Sequence, residues 1–364
     1  MPIRTTPPNR ATRAAFTRAR ARAARAFTPA AFLRATRAAF TPAALVRGTR
    51  AAFTPAALVR GTRAVFAPAV LVAGVLSAGV LLLHRLIPGS AGSLAETFLS
   101  WLGLIIPLSA ALAAWLRTVP AIVAAVIPLA AWLTVFGGHF VPARDVTPTL
   151  IAVQHNVSDE NPDPAGTVRT LTAANPDLIG LEEITPAAYP AYAAALAAGY
   201  PHHTVQGTVA LWSRHPLTEA RALNIRPAAF GTDWNRGLRA VAHTPAGDVA
   251  VYVAHLPSVR LGPGGLDAVR RDESARLLGS ALRSEPLKQT ILLGDLNSTT
   301  DDRGLTPITA QLRTAESTFE FSWPASFPVA RIDQILARSL TVTEVRTLPR
   351  TGSDHLPIAA HLTP

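Results

Sequence analysis

Polar side chains capable of acid–base or metal chemistry recur at the ends of apolar runs in the second half of the chain. Asp295 and Asn297 follow the run ILLG two residues apart, so both side chains can project to one side of an extended backbone. Asp333 lies inside the apolar run RIDQIL, where a carboxylate needs a partner. The other residues at such positions are Asn156, Glu182, Glu183, His255, Asp354 and His355.

Gathered together, these side chains would offer oxygen ligands and imidazole groups but no sulfur. The chain contains no Cys, which excludes disulfides, thiolate metal sites and a Cys nucleophile. Several carboxylates with amide oxygens favour Mg²⁺ or Mn²⁺ over Zn²⁺. Such a site suits in-line attack of water on phosphorus, because a bound cation neutralises the charge that develops. The residue types therefore predict a metal-dependent phosphoric ester hydrolase.

Short β-rich runs must position these residues from Thr147 onward. The predicted strands are Thr149–Val157, Asp177–Ile184, Val209–Ser213, Asp248–His255, Thr290–Leu293 and Ile332–Leu336. Apolar spacing of three and four predicts helices at Ala165–Ala174, Ala187–Ala198 and Leu266–Arg283. Strands and helices mixed in this way predict one α+β domain with a layered core, over residues 149–364. Asp301 and Asp302 are expected to cap the turn that follows them.

The same region resembles the endonuclease/exonuclease/phosphatase superfamily, which includes DNase I-like nucleases, abasic-site endonucleases, neutral sphingomyelinases and inositol polyphosphate 5-phosphatases. The resemblance rests on eight segments in this order: HNV, LEEI, WSRHPL, NRGLRA, AHLP, GDLNS, RIDQIL and GSDHLPI. A GDxN segment followed by a terminal SDHxPI segment is specific, whereas GDxN alone is weak. The resemblance implies a DNase I-like four-layer α/β sandwich.

The resemblance also implies a role for each matched oxygen ligand. Glu183 is implied as the principal metal ligand, with Asn156 and Asp354 nearby. Asp295 and Asn297 are implied to orient the attacking water and the scissile phosphate.

The matched histidines and their neighbours receive roles in the same way. His355, held by Asp333, is implied to contact the phosphate or act as a base. His255 is implied to stabilise or protonate the leaving group. Asn235 and Arg236 stand where relatives often place a phosphate-contacting residue. Glu182 departs from the pattern, because many relatives have Gln there, and it is expected to add negative charge beside the metal.

Three uncharged apolar stretches precede this domain: Pro68–Leu83, Phe98–Leu116 and Val119–Val141. Each approaches or reaches the ~20 residues that cross a bilayer. A buried helical hairpin is the alternative, but these stretches have almost no polar face. We therefore predict three transmembrane helices within residues 67–141, a linker at residues 142–148, and a multi-pass membrane protein.

Residues 1–66 contain 13 Arg and neither Asp nor Glu, and the segment FTPAALVRGTRA occurs at Phe40 and again at Phe53. This composition predicts a low-complexity tail, and a binding arm for nucleic acid or anionic lipid remains open. Positive residues favour the cytoplasmic side, so the tail and the Arg117 loop are expected there. Three spans then place the C-terminal domain outside the cytoplasm.

The charge of the C-terminal domain and its attachment to a membrane both indicate the class of substrate. Residues 145–364 carry 22 acidic and 18 basic residues, a balance that disfavours duplex DNA. A domain held close to a bilayer favours a substrate that resides there. We predict a membrane-associated phosphate or pyrophosphate ester, carried by a phosphorylated lipid or a small phosphoester, and no obligate protein partner.

The three-span anchor with its outer domain further resembles actinobacterial membrane proteins associated with teicoplanin (glycopeptide) resistance. That resemblance implies a cell-wall lipid carrier as substrate. The alternatives are an anchored nuclease, a phospholipid phosphodiesterase and a non-catalytic sensor of wall precursors.

Overall fold

The computed structural model describes residues 55–141, 147–245, 247–315 and 319–364, and the side chains from residue 65 onward. The repeat at Phe40, the first two residues of the repeat at Phe53, and most of the linker predicted for residues 142–148 lie outside the described residues. The chain divides into two compact units, Met1–Val70 and Leu71–Pro364. The elements that position the site all lie in the second unit.

In the part of the chain that the structure describes, four helices come before the first strand: α1 (Pro55–Leu83), α2 (Gly89–Thr97), α3 (Ile105–Leu116) and α4 (Val119–Phe136). Short 3₁₀ turns cover His84–Leu86, Leu99–Leu104 and Gly137–Phe140. Three stretches are long and apolar enough to cross a membrane: Val65–Leu86, Leu99–Leu116 and Val119–Phe140. The prediction of three apolar helices ahead of the domain is confirmed.

The described residues after these helices contain thirteen strands and four more helices. The strands are β1 (Leu150–Asn156), β2 (Leu178–Glu182), β3 (His202–Gln206), β4 (Val209–Ser213), β5 (Leu217–Ala222), β6 (Gly237–Thr244), β7 (Gly247–Ala254), β8 (Arg260–Gly262), β9 (Gly265–Asp267), β10 (Thr290–Asp295), β11 (Asp333–Arg338), β12 (Thr341–Thr347) and β13 (Ile358–Thr363). The helices are α5 (Pro164–Thr172), α6 (Tyr189–Leu196), α7 (Val269–Arg283) and α8 (Thr306–Thr309). One sheet has the order β12-β13-β1-β2-β4-β3 and the other β11-β10-β7-β6-β5, while β8 and β9 form a hairpin.

The two large sheets pack face to face with helices outside them. Their inner faces share one apolar cluster, which includes Leu150 and Leu293. Helices α5 and α6 cover the first sheet and bury Leu171 in a second cluster. Helices α7 and α8 cover the other sheet, where Leu278 packs in a third cluster with Tyr252. This order of helix, sheet, sheet and helix confirms the α+β class and the four-layer sandwich.

Strand direction brings the ends of the central strands to one edge. β1 pairs in parallel with β2, and β7 pairs in parallel with β10. β11 runs antiparallel to β10, with Asp333 directly opposite Asp295. β13 runs antiparallel to β1, so the segment just before it lies at the same edge. The last residues of β1, β2, β7 and β10 therefore lie together at one edge. The first residues of β11 and the segment just before β13 lie at the same edge.

The predicted strands match β1, β2, β4, β7, β10 and β11 to within two residues at each end. The helix predicted from Leu266 begins instead at Val269. Residues Gly265–Asp267 are drawn into β9, where they pair with β8. Gly265 has a φ of 115°, which favours glycine and is incompatible with a helix.

A buried arginine under α7 yields a prediction about stability. Arg239 of β6 is 2% exposed, and its Nε and NH2 groups donate to the two carboxylate oxygens of Glu285 at 3.0 and 2.8 Å. Its NH1 group donates to Glu219, whose side chain is 67% exposed. Although burial raises the pKa of Glu285, bonds from Arg239 and Tyr252 hold it at about 2.

We expect Glu285→Ala to lower the free energy of unfolding by about 3–5 kcal/mol, because it strips a buried guanidinium of its buried partner. Glu219→Ala removes an exposed acceptor from the same guanidinium and is expected to cost at most about 1 kcal/mol. Thermal unfolding of the two purified full-length variants checks this difference. Equal losses in melting temperature would contradict it.

Candidate active site

The inner faces of the two sheets change from apolar to polar at the edge where the central strands end. In β1 every second residue faces the other sheet, so Leu150 and Ala152 of the core are followed by Gln154 and Asn156. The polar residues that meet at this end of the core are Gln154, Asn156, Glu182, Asp295 and Asp333, all of them buried. Such a cluster requires internal hydrogen bonds and shifted pKa values.

Asp295 lies at the centre of this cluster. Its Oδ1 atom accepts a hydrogen bond from the backbone N–H of Asn297 at 2.9 Å, and its Oδ2 atom accepts one from Asn156 Nδ2 at 3.1 Å. Burial and the nearby charge of Asp333 raise the pKa of Asp295 to about 7, although His355 acts to lower it. Asp295 can therefore gain or lose a proton near neutral pH.

His355 and Asp333 form a buried pair beside Asp295. His355 Nδ1 lies 2.8 Å from Asp333 Oδ2, which also accepts a hydrogen bond from Ser322 Oγ at 2.6 Å. Although burial lowers the pKa of His355, Asp333 and Asp295 raise it to about 10. Burial acts to raise the pKa of Asp333, but His355, Ser322 and Gln154 hold it below its usual range. The pair is consequently an imidazolium held by a carboxylate.

Glu182 does not carry the charge expected of it. Its side chain is fully buried, and Gln154 Nε2 donates to its Oε2 atom at 2.7 Å. Gln154 Nε2 also donates to Asp333 Oδ1 at 3.1 Å, which places the two carboxyl groups near each other. Burial and the charge of Asp333 raise the pKa of Glu182 well above its usual range. The expectation of added negative charge is wrong, because the neutral acid is the favoured form there.

His255 lies behind the carboxylates. Arg236 NH1 donates to His255 Nδ1 at 3.1 Å, while His255 Nε2 lies 3.5 Å from Asp295 Oδ2 and 3.8 Å from Glu183 Oε1. Burial, together with the charges of Arg236 and His355, lowers the pKa of His255 well below its usual range. Arg236 NH1 also lies 3.3 Å from His255 Nε2, so either nitrogen of the neutral ring can accept from the guanidinium while the other carries the proton.

A cavity of about 460 Å³ opens beside this cluster. The predicted site residues that line it are Asn156, Glu183, Asp295, Asn297, Asp354 and His355. His255 and Asp333, at 1% and 0% exposure, lie behind the lining. Asn235 and Arg236 are not part of the lining, and Arg236 instead contacts His255. The structure thus gathers six predicted residues at one surface and places two more directly behind them.

The donors at the cavity wall fit a hard divalent cation. Glu183 follows β2 with a φ of 60°, and its side chain is 27% exposed at the cavity. Asp354 is exposed at the same wall, and Asn156 Oδ1 accepts one hydrogen bond, from Ser158 N at 3.0 Å. Two carboxylates and an amide oxygen are ligands that Mg²⁺ or Mn²⁺ prefer.

A second set of potential ligands lies deeper. Atoms of Asp295, Asp333 and His355 come within 4.8 Å of one another, close enough to surround an ion. However, His355 Nδ1 is bonded to Asp333, and a protonated ring has no lone pair for a metal. The wall formed by Glu183, Asn156 and Asp354 is therefore the better candidate metal site.

Sequence reasoning missed the residues that connect the predicted ones. Gln154 bridges Glu182 and Asp333, and Ser353 Oγ donates to the carbonyl of Asn156 at 2.7 Å. Ser322, which lies in a loop, anchors Asp333. The sequence does mark Gln154 as a candidate site residue, since it is a polar residue at a core-facing position of an apolar strand. It does not mark Ser322, because the contact of Ser322 with Asp333 depends on how the loop folds back.

Comparisons with solved structures show the same fold elsewhere. Humanized D. rerio TDP2 carrying 14 mutations is 18% identical, with a TM-score of 0.50, covering 59% of this chain and 99% of that one. Sphingomyelinase C from Streptomyces griseocarneus is 20% identical, with a TM-score of 0.44, covering 59% and 99%. A beta toxin variant from Staphylococcus aureus with bound magnesium ions is 15% identical, with a TM-score of 0.46, covering 58% and 99%. The TDP2 likeness supports the fold alone.

A search of curated proteins finds no match to this sequence. A family model does match, over residues 153–355, which is more than half of the 364 residues. The matched range runs from β1, which carries Asn156, to His355 at the opposite end of the site. It therefore includes the six predicted site residues that line the cavity. The chain belongs to the Endonuclease/Exonuclease/phosphatase family.

Proposed function

We propose that this protein is a membrane-anchored, metal-dependent phosphoesterase that hydrolyses a membrane-associated phosphate or pyrophosphate ester outside the cytoplasm. One observation carries the proposal: the buried carboxylate of Asp295 and the buried His355–Asp333 pair meet at the same cavity as a set of oxygen ligands. A proton acceptor beside a fixed positive charge suits attack of water on phosphorus. Family membership supports a hydrolase of this kind.

Divalent metals are common in enzymes of this family. In this chain Glu183, Asn156 and Asp354 would hold Mg²⁺ or Mn²⁺, and a bound cation would neutralise charge on the phosphate oxygens. Asp295 accepts a proton from the attacking water, and Asn297 positions it through its contacts with Asp295. His355, kept cationic by Asp333, stabilises the negative charge on phosphorus oxygens. His255 supports Asp295 and Glu183 from behind, with its Nε2 atom 3.5 and 3.8 Å from their carboxylate oxygens.

The membrane anchor supports placement outside the cytoplasm. The connection between the first two candidate spans, residues 87–98, packs on the catalytic domain through Ser93 and Glu96. In a chain that crosses a bilayer three times, this connection and the domain after the third span lie on the same side. Arg117 lies on the opposite side, where the positive-inside preference places it in the cytoplasm.

The absence of Cys allows a direct test of this topology. We expect a membrane-impermeant maleimide to label Ser284→Cys, an exposed position of the domain, in intact cells. Val119→Cys, which is 74% exposed beside Arg117, is expected to be labelled only after the cells are opened. The reverse pattern would place the domain in the cytoplasm.

Substrate class follows from the anchor and from charge. The domain carries more acidic than basic residues, which disfavours a nucleic acid, and its position favours a phosphorylated lipid. A cell-wall lipid carrier, as the resemblance to glycopeptide-resistance proteins implies, is such a substrate. The chemistry requires no protein partner.

Assays of full-length protein in nanodiscs separate this proposal from its alternatives. We expect release of inorganic phosphate from a lipid pyrophosphate in Mg²⁺. Nicking of supercoiled DNA instead would identify an anchored nuclease, and headgroup release from phospholipid vesicles a phosphodiesterase. Mg²⁺ binding without turnover of any of these esters would favour the non-catalytic sensor.

A further inference from the structure

The connection between the first two candidate spans, residues 87–98, contacts the catalytic domain through buried polar groups. Glu96 is fully buried in α2 and accepts hydrogen bonds from the backbone N–H and the Nε of Arg303 at 3.0 and 3.2 Å. Ser93 donates to Asp302 Oδ2 at 2.6 Å. Arg271 NH2 donates to the same Asp302 oxygen at 2.8 Å. Buried bonds of this kind fix α2 in place, because separation would leave charges without partners.

This contact extends to a residue that lines the active-site cavity. Arg271 NH1 also lies 3.4 Å from the backbone carbonyl of Asn297, one of the residues that line the cavity. Close packing adds to the contact, because Gly265 of β9 lies against the backbone of Ser90 at the start of α2. The connection is therefore built into the domain near its cavity.

The connection also forms part of the cavity itself. Asp295 and His355 lie on the polar side of the lining, and Leu94 and Phe98 lie on the apolar side. Six residues of the domain complete the apolar side: Val259, Leu261, Leu266, Trp323, Ala330 and Ile332. Among the described residues that line the cavity there is no Lys or Arg. A polyanionic chain would meet no Lys or Arg there, whereas one phosphate group with an apolar substituent would match both sides.

The position of Phe98 identifies the apolar substituent. Phe98 directly precedes Leu99, where the second candidate span begins. The apolar side of the cavity thus continues into a segment that is long and apolar enough to cross a bilayer. A hydrocarbon chain can therefore extend from the bilayer into the cavity. We propose that Leu94 and Phe98 bind the hydrocarbon chain of a lipid phosphate and make the enzyme selective for long-chain esters. This inference rests on the proposed function and adds the part of the substrate that is recognised.

Two pyrophosphates with the same headgroup test the inference in full-length protein in nanodiscs with Mg²⁺: a long-chain prenyl pyrophosphate and dimethylallyl pyrophosphate. In each, water cleaves the P–O–P bond and yields the prenyl phosphate and inorganic phosphate. We expect wild type to have the higher kcat/KM on the long-chain ester. Leu94→Ala and Phe98→Ala are each expected to lower that value roughly tenfold and to leave the short-chain value unchanged.

Leu277→Ala is the matched control, because Leu277 is an exposed helical leucine outside the cavity, and its chain-length preference should equal that of wild type. Melting temperatures show whether each variant is folded. Equal losses on both esters, or an unchanged preference, would overturn the inference while the proposed function stood. Phe98-dependent cleavage of a single-stranded oligonucleotide would also overturn it, since the wall would then hold a base. Turnover of neither ester by wild type would reject the proposed function itself.

Discussion

Asp295→Asn is expected to lower kcat on the phosphoester substrate by about 10³-fold, because the variant keeps the shape of the side chain and removes the proton acceptor. Asp295 receives hydrogen bonds from Asn156 and Asn297 that hold its carboxylate at the cavity wall. Burial is the main cause that raises its pKa to about 7, which suits a group that takes a proton at neutral pH. Steady-state kinetics with saturating Mg²⁺ measure the effect.

Asp248→Asn is a matched control for this variant. Asp248 is 55% exposed at the start of β7 and pairs with His243, away from the cavity. Its kcat is expected to equal that of wild type. If Asp295→Asn retained more than about a tenth of the wild-type kcat, Asp295 would not be the proton acceptor, since such groups contribute about 10²–10⁴-fold.

Asp333→Asn is expected to move the alkaline limb of the pH–rate profile towards neutral pH. Burial alone would lower the pKa of His355, and Asp333 is the largest influence that raises it to about 10. Without that carboxylate the imidazolium loses its proton at lower pH, and a pKa that is lower by about one changes the protonation equilibrium tenfold. We expect kcat/KM at about pH 9 to fall by at least about 10²-fold, with a smaller loss at about pH 6.

Ser322→Ala separates this charge effect from a loss of packing. It removes one hydrogen bond to Asp333 Oδ2 and leaves the carboxylate in place. The alkaline limb of its profile is expected to stay close to that of wild type. An alkaline limb in Asp333→Asn that coincided with that of wild type would show that activity does not depend on a protonated His355.

The central strands could be predicted because their apolar runs are β-branched and end in polar residues. LIAVQHN, ILLGD and DQILAR combine both signals. Strands β5 and β13, with the sequences LTEARA and IAAHLT, lack them. Alanine favours helices, and β5 is exposed along most of its length, so only pairing with neighbouring strands makes these segments extended.

The site could be predicted in its residues but not in their charges. Eight of the predicted side chains meet at or behind one cavity, because strand ends are fixed by topology. The neutral state of Glu182 follows from its burial beside Asp333, which a sequence does not reveal. The contribution of Leu94 and Phe98 was equally hidden, because Leu94 lies between two predicted spans and Phe98 is the first residue of the second of them.

Phosphate release by full-length protein in nanodiscs, from a lipid pyrophosphate, tests most directly whether this cavity is a metal-dependent phosphoesterase site. The wild type is measured in Mg²⁺, after EDTA and after Mg²⁺ is restored. We expect turnover in Mg²⁺, its loss in EDTA and its recovery, and no recovery in Glu183→Gln at the same Mg²⁺ concentration. Turnover that persists in EDTA, or a Glu183→Gln variant as active as wild type, would contradict a metal site at this wall.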